Sequence, residues 1–125
     1  MTRHSDIMKI VTPITAKYPI GKCLPCATEL RKALNAAGFA VSVWEITSNT
    51  QFIVLAETSL TAGLSSLLHK SITENGKHYG VEVEGQIFDN LFKTGIAARE
   101  WPKQFEVREG YTLKFDPKFY PATKK

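Results

Sequence analysis

The sequence predicts an α+β fold in which two N-terminal helices pack on a mainly antiparallel sheet. Apolar residues repeat with helical spacing across residues 23–37, whereas apolar and polar residues alternate with period two across 40–46. In the second half of the chain, the pair Glu84-Gly85 separates two strand-like segments, which predicts a hairpin. Helices followed by paired strands are the layers of an α+β domain.

Size and composition predict one globular domain over residues 1–125. With 43% hydrophobic and 22% charged residues, the chain can bury a core and stay soluble. No apolar run approaches the ~20 residues that cross a bilayer, so we expect no membrane partner, and the N-terminus carries no apolar export signal. The formal charge of +4 indicates solubility, or attraction to nucleic acid or to an acidic protein.

Local signals place the two helices. Ser5-Asp6 can cap a short helix within an N-terminal helical segment at 1–17, which Pro13 should end or kink. The second helix is the clearest element, because it has one apolar face and Gly38 follows it as a C-terminal cap. The predicted apolar face consists of Cys23, Cys26, Ala27, Leu30, Ala33, Leu34 and Ala37.

The remaining segments predict strands and short helices. We expect strands at 40–46, 78–84, 86–89 and 111–115, a central strand at 52–56, short helices at 60–69 and 97–105 (the latter interrupted at Pro102), and a disordered tail at 121–125. The assignment of 52–56 to the centre of the sheet rests on its continuous apolar run, which is typical of strands buried on both faces.

Cys23 opens the second helix and is the first candidate for chemistry. Backbone N–H groups and the helix dipole at a helix N-terminus favour a thiolate. His78 begins a predicted strand and Asp89 lies on the next one, so the two side chains can fall roughly abreast, close enough for the carboxylate to orient the imidazole. The order cysteine, histidine, aspartate therefore predicts a nucleophile, its base and an orienting acid.

Two other interpretations of the cysteines stay open at this point. The run CLPC from Cys23 to Cys26 resembles the motif of a thiol–disulfide oxidoreductase, although the apolar strand that should precede it is missing. A metal site would combine the cysteines with His4, His69 or His78, but no second ligand pair has zinc-like spacing. We therefore expect no metal and no cofactor.

Two blocks of the sequence resemble a known toxin family. The blocks are residues 21–39 and 76–90, the latter followed by Gly95, Ile96 and Trp101. The first block is similar to the nucleophile helix of papain-like and transglutaminase-like enzymes. Together the blocks resemble the papain fold toxin 2 domain of bacterial polymorphic toxin systems. This resemblance implies a papain-like fold with a catalytic triad of Cys23, His78 and Asp89.

The same resemblance implies a biological setting. The domain would be the C-terminal part of a larger secreted effector that is delivered to the target-cell cytoplasm. Its partners would be a cognate immunity protein and a target-cell protein substrate. In the family a small residue stands four positions after the nucleophile, so Ala27 selects Cys23, and Cys26 stays as the alternative nucleophile.

Thiol chemistry indicates the reaction class. A Cys-His-Asp triad attacks an amide carbonyl and forms a thioester, as peptidases, deamidases and transglutaminases do. The glutamine that papain-type proteases use in the oxyanion hole is missing between Ala16 and Lys22, so the candidate donors are the backbone N–H of Cys23 together with Tyr18 or Lys17. The alternatives from other classes are a basic toxin that cleaves RNA and a non-catalytic binding module.

Overall fold

Two helices open the part of the chain that the computed structural model describes, which is residues 3–19, 22–56, 71–73, 75–107 and 111–118. Helix α1 spans Arg3–Thr15 and helix α2 spans Cys23–Ala36. Pro13 lies in the last turn of α1, so the helix ends close to the position that the proline predicts. The predicted helix at 60–69, which contains His69, and the predicted tail at 121–125 lie outside the described residues.

Helix α2 follows the predicted periodicity. Its buried residues are Cys23, Cys26, Ala27, Leu30 and Leu34. The prediction that Ala37 belongs to this face is wrong: the residue is exposed, because α2 ends at Ala36. The chain then turns at Gly38, whose φ of +94° is a conformation that favours glycine.

Among the described residues, five strands form one antiparallel sheet with the order β5-β4-β3-β1-β7. These strands are β1 (Ser42–Ser48), β3 (Lys77–Val83), β4 (Gln86–Phe88), β5 (Ile96–Ala97) and β7 (Leu113–Lys118). A separate two-stranded sheet contains β2 (Val54–Leu55) and β6 (Phe105–Glu106). The prediction of a central strand at 52–56 is therefore wrong, because only two of its residues form a strand and that strand lies outside the main sheet.

The β3–β4 hairpin agrees with the prediction. Glu84 and Gly85 have φ values of 54° and 82°, and two successive positive φ angles are typical of the two-residue turn of a tight hairpin. Val81 pairs with Phe88 in this register. Asp89 therefore leaves β4 opposite Gly80, two positions along β3 from His78.

The main sheet separates two buried clusters. The helices pack on one face and share a cluster with the sheet residues Val43, Val81, Val83 and Phe88. The cluster on the other face contains Ile46, Ile53, Leu55, Ile72, Ile87, Phe92, Trp101 and Phe105. A 3₁₀ helix at Trp101–Gln104 supplies part of that cover and replaces the longer helix predicted at 97–105. Among the described residues, no helix has the length and apolar character needed to cross a membrane.

Candidate active site

Cys23 is the first residue of α2, and its thiol lies against the beginning of β3. The side chain is almost completely buried, and its Sγ is 3.6 Å from the backbone oxygen of Lys77, the residue before His78. At this end of the helix, the N-cap residue Lys22 makes no side-chain capping hydrogen bond. An uncapped helix N-terminus leaves backbone N–H groups that can bind a negative oxygen.

His78 and Asp89 form a hydrogen-bonded pair beneath the surface. Nε2 of His78 is 2.8 Å from Oδ2 of Asp89, and both side chains are 0% exposed. The hairpin explains this contact, because its register brings Asp89 to the face of the sheet from which His78 projects. Nδ1 of His78 is buried and has no hydrogen-bond partner among the described residues, so Asp89 engages only one of the two ring nitrogens.

Four N–H donors surround the Asp89 carboxylate. Oδ2 accepts hydrogen bonds from His78 and from the indole of Trp101 at 2.9 Å. Oδ1 accepts the backbone N–H groups of Leu91 at 2.8 Å and Phe92 at 2.5 Å. Hydrogen bonds to backbone groups two and three residues ahead are typical of an aspartate at a turn. The carboxylate is thereby fixed in the position that orients His78.

The charges of the pair are set by their mutual contact. Burial opposes a positive charge on His78, but the hydrogen bond to Asp89 and the interaction with Cys23 outweigh it and raise the pKa of His78 to about 9. Burial likewise opposes the charge on Asp89, but the hydrogen bonds from His78 and its other donors hold the pKa of Asp89 below its ordinary value. At neutral pH the pair is an imidazolium and a carboxylate.

Aromatic side chains enclose the imidazole of His78. The centroid of Trp101 lies 6.0 Å away in a stacked arrangement, and that of Phe105 lies 5.0 Å away. Gly80 makes room for the indole, because a Cβ atom at this position would lie 2.7 Å from Cζ2 of Trp101. No role for Trp101 or Gly80 is predicted from the sequence, since their contacts join distant segments. A glycine inside a predicted strand is the one available signal of such a close approach.

Cys26 lies one turn further along α2 and is fully buried. Burial raises the pKa of the Cys26 thiol to about 12, and the nearby Asp89 carboxylate acts in the same direction. Cys26 therefore stays protonated at neutral pH, which disfavours the alternative assignment of Cys26 as nucleophile. Both cysteines are free thiols.

Side chains on both sides fix the segment that leads into α2. Nδ2 of Asn90 donates to the backbone oxygen of Pro19 at 2.8 Å. The hydroxyl of Tyr18 and the ammonium of Lys17 both donate to the carboxylate of Glu29, at 2.6 and 2.7 Å. Tyr18 and Lys17 are thus occupied, and the backbone of α2 is the better source of oxyanion donors.

Of the other two histidines of the sequence analysis, His4 does not join this site. His4 lines a separate pocket of about 480 Å³ between α1 and the β3–β4 hairpin. His69 lies outside the described residues. Within the described ranges, no three histidine, cysteine, aspartate or glutamate side chains are grouped as ligands of a metal ion.

Comparison with family models of known proteins identifies a family for this chain. A family model described as papain fold toxin 2 matches residues 6–106, which include most of α1 and the whole of α2, the hairpin and β6. A search of curated proteins and a search of solved structures each found no match.

Proposed function

The chain belongs to the papain fold toxin 2 family, and on that premise we propose that it is an antibacterial toxin domain that attacks an amide bond with Cys23, His78 and Asp89. Family membership implies a toxin with cysteine-protease-like activity. The proposal adds the reacting residues and the thioester route. The observation that carries it is the buried His78–Asp89 hydrogen bond next to a cysteine at a helix N-terminus.

In the proposed reaction, Nδ1 of the imidazolium of His78 holds the proton taken from Cys23, and the sulfur attacks the amide carbonyl as a thiolate. Backbone N–H groups at the start of α2 stabilise the negative oxygen of the tetrahedral intermediate. His78 then gives the proton to the leaving nitrogen, the C–N bond breaks, and an acyl group stays on Cys23 as a thioester. Asp89 orients the ring and stabilises the imidazolium.

The fate of the thioester decides the reaction outcome. Water releases an acid, which corresponds to peptide hydrolysis or to deamidation of a glutamine side chain, whereas an amine gives transamidation. We further propose that residues 1–125 form one domain at the C-terminal end of a larger secreted effector. In this setting the domain acts on a protein in the target-cell cytoplasm, and a cognate immunity protein blocks it in the producing cell.

A pair of matched variants tests the proposal. Cys23→Ala should abolish toxicity when the domain is expressed in a target cell, because the nucleophile is lost. Cys26→Ala should stay toxic, since it changes the neighbouring buried thiol and not the reacting one. Thermal unfolding of both proteins checks that they fold. A toxic Cys23→Ala variant together with an inactive Cys26→Ala variant would show that the assignment is wrong.

Mass spectrometry of target-cell proteins then identifies the reaction. Expression of the wild-type domain, compared with Cys23→Ala, should produce a new cleavage, a deamidated glutamine or a new amide cross-link. Ribosomal and transfer RNA should stay intact while the cells die. Cleaved RNA with an unchanged proteome would instead support the alternative of an RNA-directed toxin.

A further inference from the structure

Lysines from three parts of the fold lie close to the two cysteines at the start of α2. Lys22 directly precedes Cys23 at the N-terminus of α2, and Lys77 supplies the backbone oxygen that lies 3.6 Å from Sγ of Cys23. Lys93 follows β4 and is close enough to Cys26 to interact with its thiol electrostatically. All three lysine side chains are exposed. The fold therefore brings the backbones of Lys22 and Lys77 to the Cys23 thiol and places Lys93 near the next turn of α2.

Neighbouring carboxylates do not neutralise these charges. Among the described residues, Lys22, Lys77 and Lys93 take part in none of the ion pairs that the structure shows. Two carboxylates of this region are occupied: Glu29 binds Lys17 and Tyr18, and Asp89 is buried among its four N–H donors. The positive charge is thus available to a ligand.

We propose that Lys22, Lys77 and Lys93 form a basic rim that selects substrates with acidic residues next to the amide that Cys23 attacks. The inference rests on the proposed function, because it assigns a substrate class to the same site. Clustered charges attract oppositely charged ligands over about one Debye length, roughly 10 Å at 0.1 M salt, and the positive end of α2 acts in the same direction.

An acidic polypeptide fits this site better than RNA. Both carry negative charge, but the thioester route needs an amide carbonyl at the thiol, and a phosphodiester backbone offers none. The buried Nδ1 of His78, which has no partner among the described residues, is the group that would serve the leaving amine. The basic rim therefore favours acidic ligands, the thioester route requires an amide, and the two requirements together select an acidic protein.

Alkylation of Cys23 tests the rim without a known substrate. Iodoacetate is negatively charged and iodoacetamide is neutral, so the ratio of their rates reports the electrostatic potential at the thiol. At low salt, we expect this ratio to be about three- to tenfold higher in the wild type than in the triple variant Lys22→Gln, Lys77→Gln, Lys93→Gln. The difference should shrink as salt screens the rim.

A matched control removes the same amount of charge elsewhere. The triple variant Lys9→Gln, Lys32→Gln, Arg99→Gln changes three exposed residues outside the rim and should keep the wild-type ratio. If the ratio of the iodoacetate rate to the iodoacetamide rate is the same in the two triple variants, the proposed basic rim is wrong. Failure of the proposed function looks different: neither reagent would label Cys23 in any variant, and the rim would then have no reaction to serve.

Protection experiments decide the class of ligand. A short oligoglutamate peptide should slow the labelling of Cys23 by iodoacetamide in the wild type and in the control variant, but not in the rim variant. An oligolysine peptide of equal length should have no effect. Protection by an RNA oligonucleotide without protection by oligoglutamate would contradict an acidic polypeptide substrate.

Discussion

At the scale of single residues, Asp89 holds His78 with one carboxylate oxygen, while backbone N–H groups of Leu91 and Phe92 hold the other. The carboxylate is 0% exposed, so water cannot replace a donor that is lost. Breaking a buried pair by removing one partner costs about 3–5 kcal/mol. The same contacts that orient the proposed base therefore also stabilise the fold.

Trp101→Phe separates the hydrogen bond from the packing at this site. The substitution keeps an aromatic ring near His78 but removes the N–H donor to Asp89, so the free energy of unfolding should fall by about 1–3 kcal/mol and toxicity should decrease. Denaturant unfolding and a killing assay measure the two effects.

Trp44→Phe is the matched control for this prediction. The Trp44 indole donates to Glu82 at 2.8 Å and is not one of the four donors to the Asp89 carboxylate. This variant should lose stability and keep its toxicity. If both tryptophan variants lose the same share of toxicity, Trp101 acts through stability alone and has no role in holding Asp89.

The pH dependence of stability tests the charge state of the His78–Asp89 pair. The folded protein holds a proton on His78 up to about pH 9, whereas the unfolded chain releases it near the ordinary value of 6.5. The contribution of protonated His78 to the free energy of unfolding is therefore complete below pH 6.5 and is lost as the pH rises through about 9.

Urea unfolding measured between pH 6.5 and about 9 should show that the free energy of unfolding of the wild type falls as the pH rises. Asp89→Asn should show a smaller loss, because the neutral amide no longer holds the proton on His78. Other titrating groups affect both proteins alike, so their difference isolates the pair. Identical pH profiles for the wild type and Asp89→Asn would contradict the charged pair.

At the scale of secondary-structure elements, the position of α2 depends on the turn that follows β4. Asn90 comes directly after Asp89 and donates to the backbone oxygen of Pro19, in the segment that leads to Cys23. The same turn thus places both Asp89, the proposed orienting acid, and the helix that begins with Cys23, the proposed nucleophile. A displacement of this turn would change the geometry between the thiol and the imidazole.

Asn90→Ala should lower toxicity by more than its loss of stability explains. The loss of one buried hydrogen bond lowers the free energy of unfolding by about 1–2 kcal/mol, while the freed segment displaces Cys23. Toxicity measured beside Trp44→Phe, a variant of similar expected stability, checks the difference. Equal toxicity of the two variants would mean that Asn90 does not position α2.

Periodicity and turn chemistry predict α2 and the β3–β4 hairpin, because local residues decide both elements. The helix has one apolar face, and Glu84-Gly85 adopts the two positive φ angles of a tight turn. The segment 52–56 is predicted less well. Its apolar run fits burial on two sides, but the burial comes from packing with Trp101 and Phe105 instead of a place in the main sheet.

At the scale of the whole molecule, the proposed site lies where the two faces of the sheet meet at its end. Cys23 comes with the helices, whereas His78 projects into the cluster on the opposite face with Trp101 and Phe105. The order and context of the cysteine, histidine and aspartate can be predicted from the sequence. The hydrogen bond from Trp101 and the space at Gly80 cannot, because both depend on contacts between distant segments.

The labelling of Cys23 and its dependence on His78 test the central claim most directly. The folded wild type is treated with iodoacetamide at neutral pH, and the labelled cysteine is identified by peptide mapping. We expect one label on Cys23, none on Cys26, and labelling about tenfold slower or more in His78→Gln under conditions where both proteins are folded. Preferential labelling of Cys26, or equal rates in the wild type and His78→Gln, would contradict a Cys23 nucleophile activated by His78.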